Sequence, residues 1–523
     1  MLSRTSILAI APLLSLLHTA LAVPEPGTLG FQFHKRTVSG EQALGLRRRQ
    51  SGTVLSGLDN ELSLYLINVT VGTPGQDFSL QLDTGSSDIW FPTNNANVCR
   101  ESADNCPVGT YDVQASSTYK DPQLPEFQIE YVDGTQITGS YISDTLSLGN
   151  TQLTNMTMAA ATNLNSLGVG IMGVGFRADE SGATGAQGSQ GFTYPNIIDV
   201  LQSEGFIKSR VYSLWLDDLE SNTGSILFGG VDSDKYTGNL VALPIQLDSQ
   251  SNSITSFTVA WTGLQVNGSG NNLDASPSSP APAILDSGTT DTLLPDDIAE
   301  QIFNGVGVTT TEKFGNVVPC ELANDDLTFT FTFGGEGGPS IQVPLSEFVV
   351  PLETSDGQTP KFHDGKDACQ FAMEAAGSAP ILFGDSFLRS AYVVYDLENQ
   401  QVALAQLNSK AQQGSGNVQV VGSSSAIPGV SSTATAASVA QTITGIPRES
   451  QEATATGDIQ SGQQTSRSAT FKFSATGSSS GSSSTSSGAA SSNVQARPMQ
   501  WQGLASCAVV VLGMVFGGGL LLW

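Results

Sequence analysis

The chain carries one decapeptide pattern twice. Asp83-Thr-Gly-Ser-Ser-Asp-Ile-Trp-Phe-Pro92 returns as Asp286-Ser-Gly-Thr-Thr-Asp-Thr-Leu-Leu-Pro295. Asp, Gly, Asp and Pro match outright, and three further places exchange only Ser and Thr. An apolar stretch ends just before each copy, at Leu82 and at Ala283-Ile284-Leu285. A lone Asp-Thr-Gly is a common turn; two extended copies predict two lobes that each deliver a carboxylate to a shared site. Gly85 and Gly288 permit tight backbone approach. The hydroxyls of Thr84, Ser86, Ser287 and Thr289 can bond a carboxylate oxygen or the opposite loop. If Asp83 and Asp286 come face to face, they cannot both ionise freely and share one proton. The ionised member can take a proton from water while the protonated member polarises a carbonyl, which is sufficient to hydrolyse an amide without a covalent intermediate.

Histidine usage narrows the alternatives. The three histidines are His18, His34 and His363, and the first two lie in segments expected to be removed. One remaining His makes a His-rich zinc site or a Ser-His or Cys-His mechanism a poor fit. Acid–base work therefore falls to Asp and Glu, and neither metal nor cofactor is expected. The net charge of −27 disfavours nucleic acid as a partner. A carboxylate-pair glycosidase and a catalytically silent binding or cell-wall protein are the competing readings. The intact repeat and the lid described below argue against both.

With 523 residues the chain exceeds one ordinary core. Residues 1–22 read as a signal peptide, with Arg4, an apolar stretch from Ile7 to Leu17, and a small-residue site at Ala20-Leu-Ala22. Residues 23–49 are basic through Lys35-Arg36 and Arg47-Arg-Arg49 and read as a pro-segment, with cations over an acidic cleft and cleavage after Arg49. The globular part divides into lobes at 50–230 and 231–407. Its short apolar runs between Gly, Asn, Asp and Pro predict an all-β fold. Examples are Leu64–Val69, Phe127–Tyr131, Thr328–Phe333 and Ala391–Tyr395. Helical stretches are few, with Ile197–Glu204 and Asp296–Phe303 the best candidates. From 408 to 490 the chain turns Ser-, Thr- and Gly-rich, which predicts a structureless, O-glycosylated stalk. Residues 491–523 carry an apolar tail from Leu504 to Trp523 with no basic residue after it. Together with the small residues from Gly488 to Ser492 and Asn493, this matches a GPI-attachment signal, with Asn493 or a residue within Gly488–Ser492 as the attachment point.

Cys507 lies in the tail that GPI attachment discards, which leaves four cysteines in an oxidising compartment. Three pairings are possible, and local sequence favours Cys99–Cys106 with Cys320–Cys369. Sequons stand at Asn68, Asn155 and Asn267. A hairpin lid is legible as well. Phe127, Ile129 and Tyr131 alternate, Asp133-Gly134-Thr135 signals the turn, and Ile137, Gly139 and Tyr141 lead away.

From about Leu62 to Leu407 the sequence resembles the pepsin-like aspartic proteases. Beyond the two Asp loops, the resemblance rests on Asn68-Val-Thr-Val-Gly-Thr-Pro74, Ile171-Met-Gly173, Ile381-Leu-Phe-Gly-Asp385, Phe387-Leu-Arg389 and Tyr392-Val-Val-Tyr-Asp396. It implies a bilobal fold of two pseudo-twofold-related β lobes with a cleft between them, a monomer, and protein or peptide substrates. By position, it makes Asp83 and Asp286 the catalytic dyad. Thr84 and Ser287 would cross-bond the loops, and Ser86 and Thr289 would hold the outer carboxylate oxygens. Trp90 would support the lid tyrosine, Tyr131. The order of signal, basic segment, stalk and GPI signal resembles the fungal yapsin-type branch, whose members sit at the plasma membrane or cell wall and often cleave beside Lys or Arg. Asp133, Asp88, Asp291 and the acidic Cys99–Cys106 loop are the residues that such a preference would use. The shortness of that loop departs from some yapsins.

Overall fold

The computed structural model describes residues 27–38, 62–132, 134–183, 191–221, 223–248, 251–268, 270–311, 313–354, 358–412, 416–434 and 439. The signal-peptide residues, Arg47 to Arg49, Asp133 and the GPI-signal residues lie outside them. The described chain is all-β with few helices. A 14-stranded sheet, an 8-stranded sheet and a 4-stranded sheet carry most of it.

Period-two patterning sets the strands. Leu327–Phe333 reads Leu-Thr-Phe-Thr-Phe-Thr-Phe and alternates buried with half-buried along its length. Phe331 and Phe333 meet Phe383 and Phe387 edge-on, with ring centroids 5.3–5.7 Å apart. Each buried Phe contributes about 1.5–3 kcal/mol. The two expected helices form over Ile197–Ser203 and Asp296–Val306. Asn196 closes a capping box with Asp199 on the first, and Gly307 ends the second in the left-handed region.

The large sheet spans both halves of the chain. In order across its middle run Tyr236–Pro244, Gln401–Leu407, Ala391–Asp396, Val211–Trp215, Thr223–Phe228, Leu29–Val38 and Leu62–Val71. Residues 29–38, within the basic segment, are thus an inner strand, paired with Thr223–Phe228 on one side and Leu62–Val71 on the other. The physical reason is the alternation of Leu29, Phe31 and Phe33. Phe33 is buried and packs edge-on against Tyr65. The Lys35 ammonium donates to the Leu219 carbonyl at 2.6 Å. Burial, and then the nearby Arg389 charge, push its pKa down to about 8.

The fold also continues past Leu407, into residues read from composition as stalk. Val418–Val420 and Val430–Thr433 are strands. Cys99–Cys106 and Cys320–Cys369 are disulfide-bonded. Among the described residues no helix is long and apolar enough to cross a membrane.

Candidate active site

Each repeated Asp stands where an apolar strand gives out. Gln76–Asp83 runs parallel to Ile171–Gly173, and Ala281–Leu285 runs parallel to Ile381–Phe383. Both partner strands are the short apolar-apolar-Gly type of segment singled out in the sequence. Gly384, which follows the second, tolerates no side chain: a Cβ there would sit 2.3 Å from the Asp291 carbonyl oxygen.

The two Asp loops interlock by reciprocal bonds. Thr84 Oγ1 accepts from the Ser287 N–H at 3.0 Å and donates to the Leu285 carbonyl at 3.0 Å. Ser287 Oγ accepts from the Thr84 N–H at 3.2 Å and donates to the Leu82 carbonyl at 3.0 Å. Gln81 adds a bond of 3.1 Å to the Gly288 carbonyl. Six buried polar groups are satisfied by the four Thr84 and Ser287 bonds that cross between loops, so loosening either loop leaves the other with orphaned partners.

The carboxylates receive matching donors. Asp83 Oδ1 accepts from the Gly85 N–H at 2.8 Å, and Asp286 Oδ1 accepts from the Gly288 N–H at 2.8 Å. Ser86 Oγ donates to Asp83 Oδ2, and Thr289 Oγ1 donates to Asp286 Oδ2 at 2.7 Å. A Cβ on Gly85 would lie 2.5 Å from Asp286 Oδ1, and one on Gly288 would collide likewise with Asp83. Glycine in each loop is what lets the opposite carboxylate come so close. Both aspartates are 4% exposed. Burial, and then the Asp286 charge, hold the Asp83 carboxyl well above the usual carboxylate range, against the lowering bond from Ser86.

A lid hairpin accompanies the first loop. Glu126–Glu130 pairs with Gln136–Leu148 in a register that sets Ile129 opposite Ile137. Tyr131 N–H donates to the Thr135 carbonyl, and Gly134 N–H donates to the Tyr131 carbonyl, both at 2.9 Å. The Trp90 indole N–H donates to the Tyr131 hydroxyl at 2.7 Å.

Asp88 and Asp291, twins in the repeat, have diverged. Asp88 is fully buried, accepting from Tyr194 Oη and from the Ser181 N–H, both at 2.7 Å. Tyr141 Oη lies 3.4 Å from the same carboxylate oxygen that Tyr194 reaches, so the side chain is enclosed by Tyr141, Ser181 and Tyr194. Asp291 accepts from Gln370 Nε2 at 2.9 Å.

Several residues near the site escape a reading of motifs. Tyr212 and Tyr395 stack at 4.9 Å; burial, then Tyr395, and then the charges of Asp83 and Asp286 raise the Tyr212 phenol. Glu180 is fully buried, with Oε2 accepting from the Tyr194 N–H at 2.8 Å and Oε1 unpartnered. Burial raises its pKa to about 9. Arg389 donates to Glu347 Oε2 and to the Glu347 carbonyl, each at 2.6 Å, in a buried pair. Tyr395 and Arg389 stand inside closing segments quoted above, but their partners were not legible there; Tyr212 offered only an apolar flank, which is ordinary in a core, and Glu180 offered no signal.

The comparisons agree with this geometry. A sequence model of the family described as eukaryotic aspartyl protease matches residues 64–407. The chain is 40% identical over 366 residues to a probable aspartic-type endopeptidase OpsB of Aspergillus fumigatus, covering 69% of this chain and 72% of that protein. It is 36% identical over 458 residues to the probable aspartic-type endopeptidase OPSB of Arthroderma benhamiae, covering 84% and 90%. Secreted aspartic protease 3 of Candida albicans is 34% identical over 361 residues, covering 68% and 82%. In fold, the crystal structure of the aspartic proteinase from Irpex lacteus matches with a TM-score of 0.53 at 21% identity, covering 73% of this chain and 99% of that one. The chain belongs to the eukaryotic aspartyl protease family and is a pepsin-like, aspartic-type endopeptidase.

Proposed function

We propose that Asp83 and Asp286 act as one shared-proton dyad that activates water against a peptide carbonyl in an acidic medium. The observation that carries this reading is the reciprocal loop interlock, which presents two buried carboxylates with matching donor sets to each other. The ionised carboxylate takes a proton from water as the water oxygen bonds to the carbonyl carbon. The protonated carboxyl gives its proton to the carbonyl oxygen. As the tetrahedral diol collapses, the carboxyl that took the water's proton gives it to the leaving nitrogen, the C–N bond breaks, and a diol hydroxyl returns its proton to the other carboxylate, which restores the one-proton dyad. Trp90 holds Tyr131 so that the lid closes over substrate and excludes water.

The same proposal places the enzyme at the fungal cell surface, GPI-anchored through Asn493 or a residue within Gly488–Ser492, at plasma membrane or wall. The relative named as a secreted aspartic protease supports the secretory route. Asn68, Asn155 and Asn267 are all exposed, as glycan attachment requires. A preference for Lys or Arg beside the scissile bond draws on Glu101 and Asp104, both at the surface in or near the Cys99–Cys106 loop, and on Asp133, but no longer on Asp88. The test is a peptide-library digest in acid by the intact protein beside Asp83→Asn and Asp286→Asn. Cleavage by the parent alone is expected, and cleavage by either variant at more than a trace overturns the dyad. Phospholipase release of the protein from cells tests the anchor.

A further inference from the structure

Strand alternation gives the sheet that joins the two halves two faces. Tyr212, Leu214, Val393 and Tyr395 point into the core beneath the catalytic loops. Val211, Trp215, Tyr392 and Val394 point to the opposite side, where they form a second apolar cluster with Ala403 and Ala405. That back face is sealed by residues beyond Leu407. Val421 is 0% exposed and Ile427 is 3% exposed, and both belong to the same cluster.

The covering segment is fastened on both sides of the junction. On the side of the first half, Val418–Val420 pairs antiparallel with Gly230–Asp232. The Val421 N–H donates to the Gly229 carbonyl at 2.9 Å, and Ser423 Oγ donates to the Lys208 carbonyl at 2.6 Å. On the side of the second half, Asn399 Nδ2 donates to the Ser425 carbonyl at 3.2 Å. Val430–Thr433 then lies parallel to Tyr236–Pro244 and closes the outer edge of the large sheet. The Ala434 N–H donates to the Ala242 carbonyl at 2.9 Å, and the Val439 N–H donates to Gln246 Oε1 at 3.2 Å. Lys235 pins the approach: its ammonium sits 3.7 Å from the centroid of the Trp215 ring and donates to the Gln412 carbonyl at 2.6 Å.

We propose that residues 416–434 and Val439 are a strap belonging to the catalytic body, which clamps the sheet joining the two lobes from behind, so that the active peptidase ends past Val439 and any surface stalk begins after it. Without the strap, Trp215 and Tyr392 would face water and the edge strand Tyr236–Pro244 would offer unpaired backbone groups, a template for association.

The test compares three chains with the same start: full length, one ending at Ala440, and one ending at Leu407. The form ending at Ala440 is expected to match the full chain in melting temperature and kcat/KM. The form ending at Leu407 is expected to melt at least about 5 °C lower and to self-associate. Full-length Ile427→Asp, which undocks the strap without shortening the chain, should reproduce the drop. If the shortest form fails to fold, limited proteolysis of the full-length parent decides: early cuts are expected beyond Val439 and none within 417–434. Equal melting of the forms ending at Leu407 and Ala440, or early cuts within 417–434, would overturn the proposal.

Discussion

Glu180 gives the sharpest stability prediction. Its side chain is fully buried, one oxygen accepts from the Tyr194 N–H, and the other has no partner. Burial raises its pKa from the ordinary 4.5 to about 9, with the Asp88 charge acting in the same direction and the Tyr194 bond against it. A carboxyl raised on folding keeps its proton in the native state while the unfolded chain loses it. The stability it contributes is therefore complete below pH 4.5 and is lost as pH climbs toward 9. Between pH 4.5 and pH 7 the loss amounts to roughly 2.2 effective pH units, because half of the unfolded carboxyls are already ionised at pH 4.5, at about 1.4 kcal/mol each, or about 3 kcal/mol. Glu180→Gln removes the titration and keeps an oxygen to accept from Tyr194. The variant should gain about 3 kcal/mol relative to the parent on going from pH 4.5 to pH 7, whatever its offset in acid. Urea unfolding at several pH values, with both proteins in an Asp83→Asn background to stop self-digestion, measures it. A difference between the two proteins that stays constant with pH would refute the reasoning.

Three further outcomes are expected. Trp90→Phe and Tyr131→Phe each break the 2.7 Å bond between indole and lid phenol, so each should lower kcat/KM about tenfold; the double variant should lose little more than either single one, and full additivity would mean that the bond does not act as a unit. Removing Cys320–Cys369, which bridges a separation of 49 residues, should cost about 4 kcal/mol by chain entropy, against about 2.5 kcal/mol for Cys99–Cys106 with its separation of 7; chemical denaturation of the two double-alanine variants ranks them. Asp88→Asn should leave the ratio of basic to neutral residues at the cleavage site unchanged in a peptide-library profile, because Asp88 is sealed behind Tyr194 and Ser181.

The sequence was most informative where the chemistry is local. Asp83 and Asp286 sit in contiguous decapeptides, so their strands, glycines and hydroxyl partners could be read together. The Thr-Phe alternation of Leu327–Phe333 and the helix opened by Pro295 are likewise written in adjacent residues, although the helix runs on to Val306, past the expected end at Phe303. What stayed hidden depends on distant partners. Lys35 and Arg36 gave residues 23–49 the look of a basic pro-segment laid over an acidic cleft, while Phe31 and Phe33 place part of it inside the sheet. Averaged composition concealed Val421 and Ile427 among Ser and Gly, although two apolar side chains suffice when a groove lined by Trp215 and Tyr392 is waiting. The repeat suggested that Asp88 and Asp291 share a role, but repetition fixes position in a loop, not what packs against it.

The central claim is that two carboxylates share one proton. The most direct measurement is the pH dependence of kcat/KM on a single peptide, for the parent and for Asp83→Asn and Asp286→Asn. A bell with two limbs is expected for the parent, since one carboxyl must be ionised and one protonated, and these two values belong to the pair. Both variants should be flat at background. A parent profile with a single limb, or a variant that keeps one limb of the bell, would contradict the account.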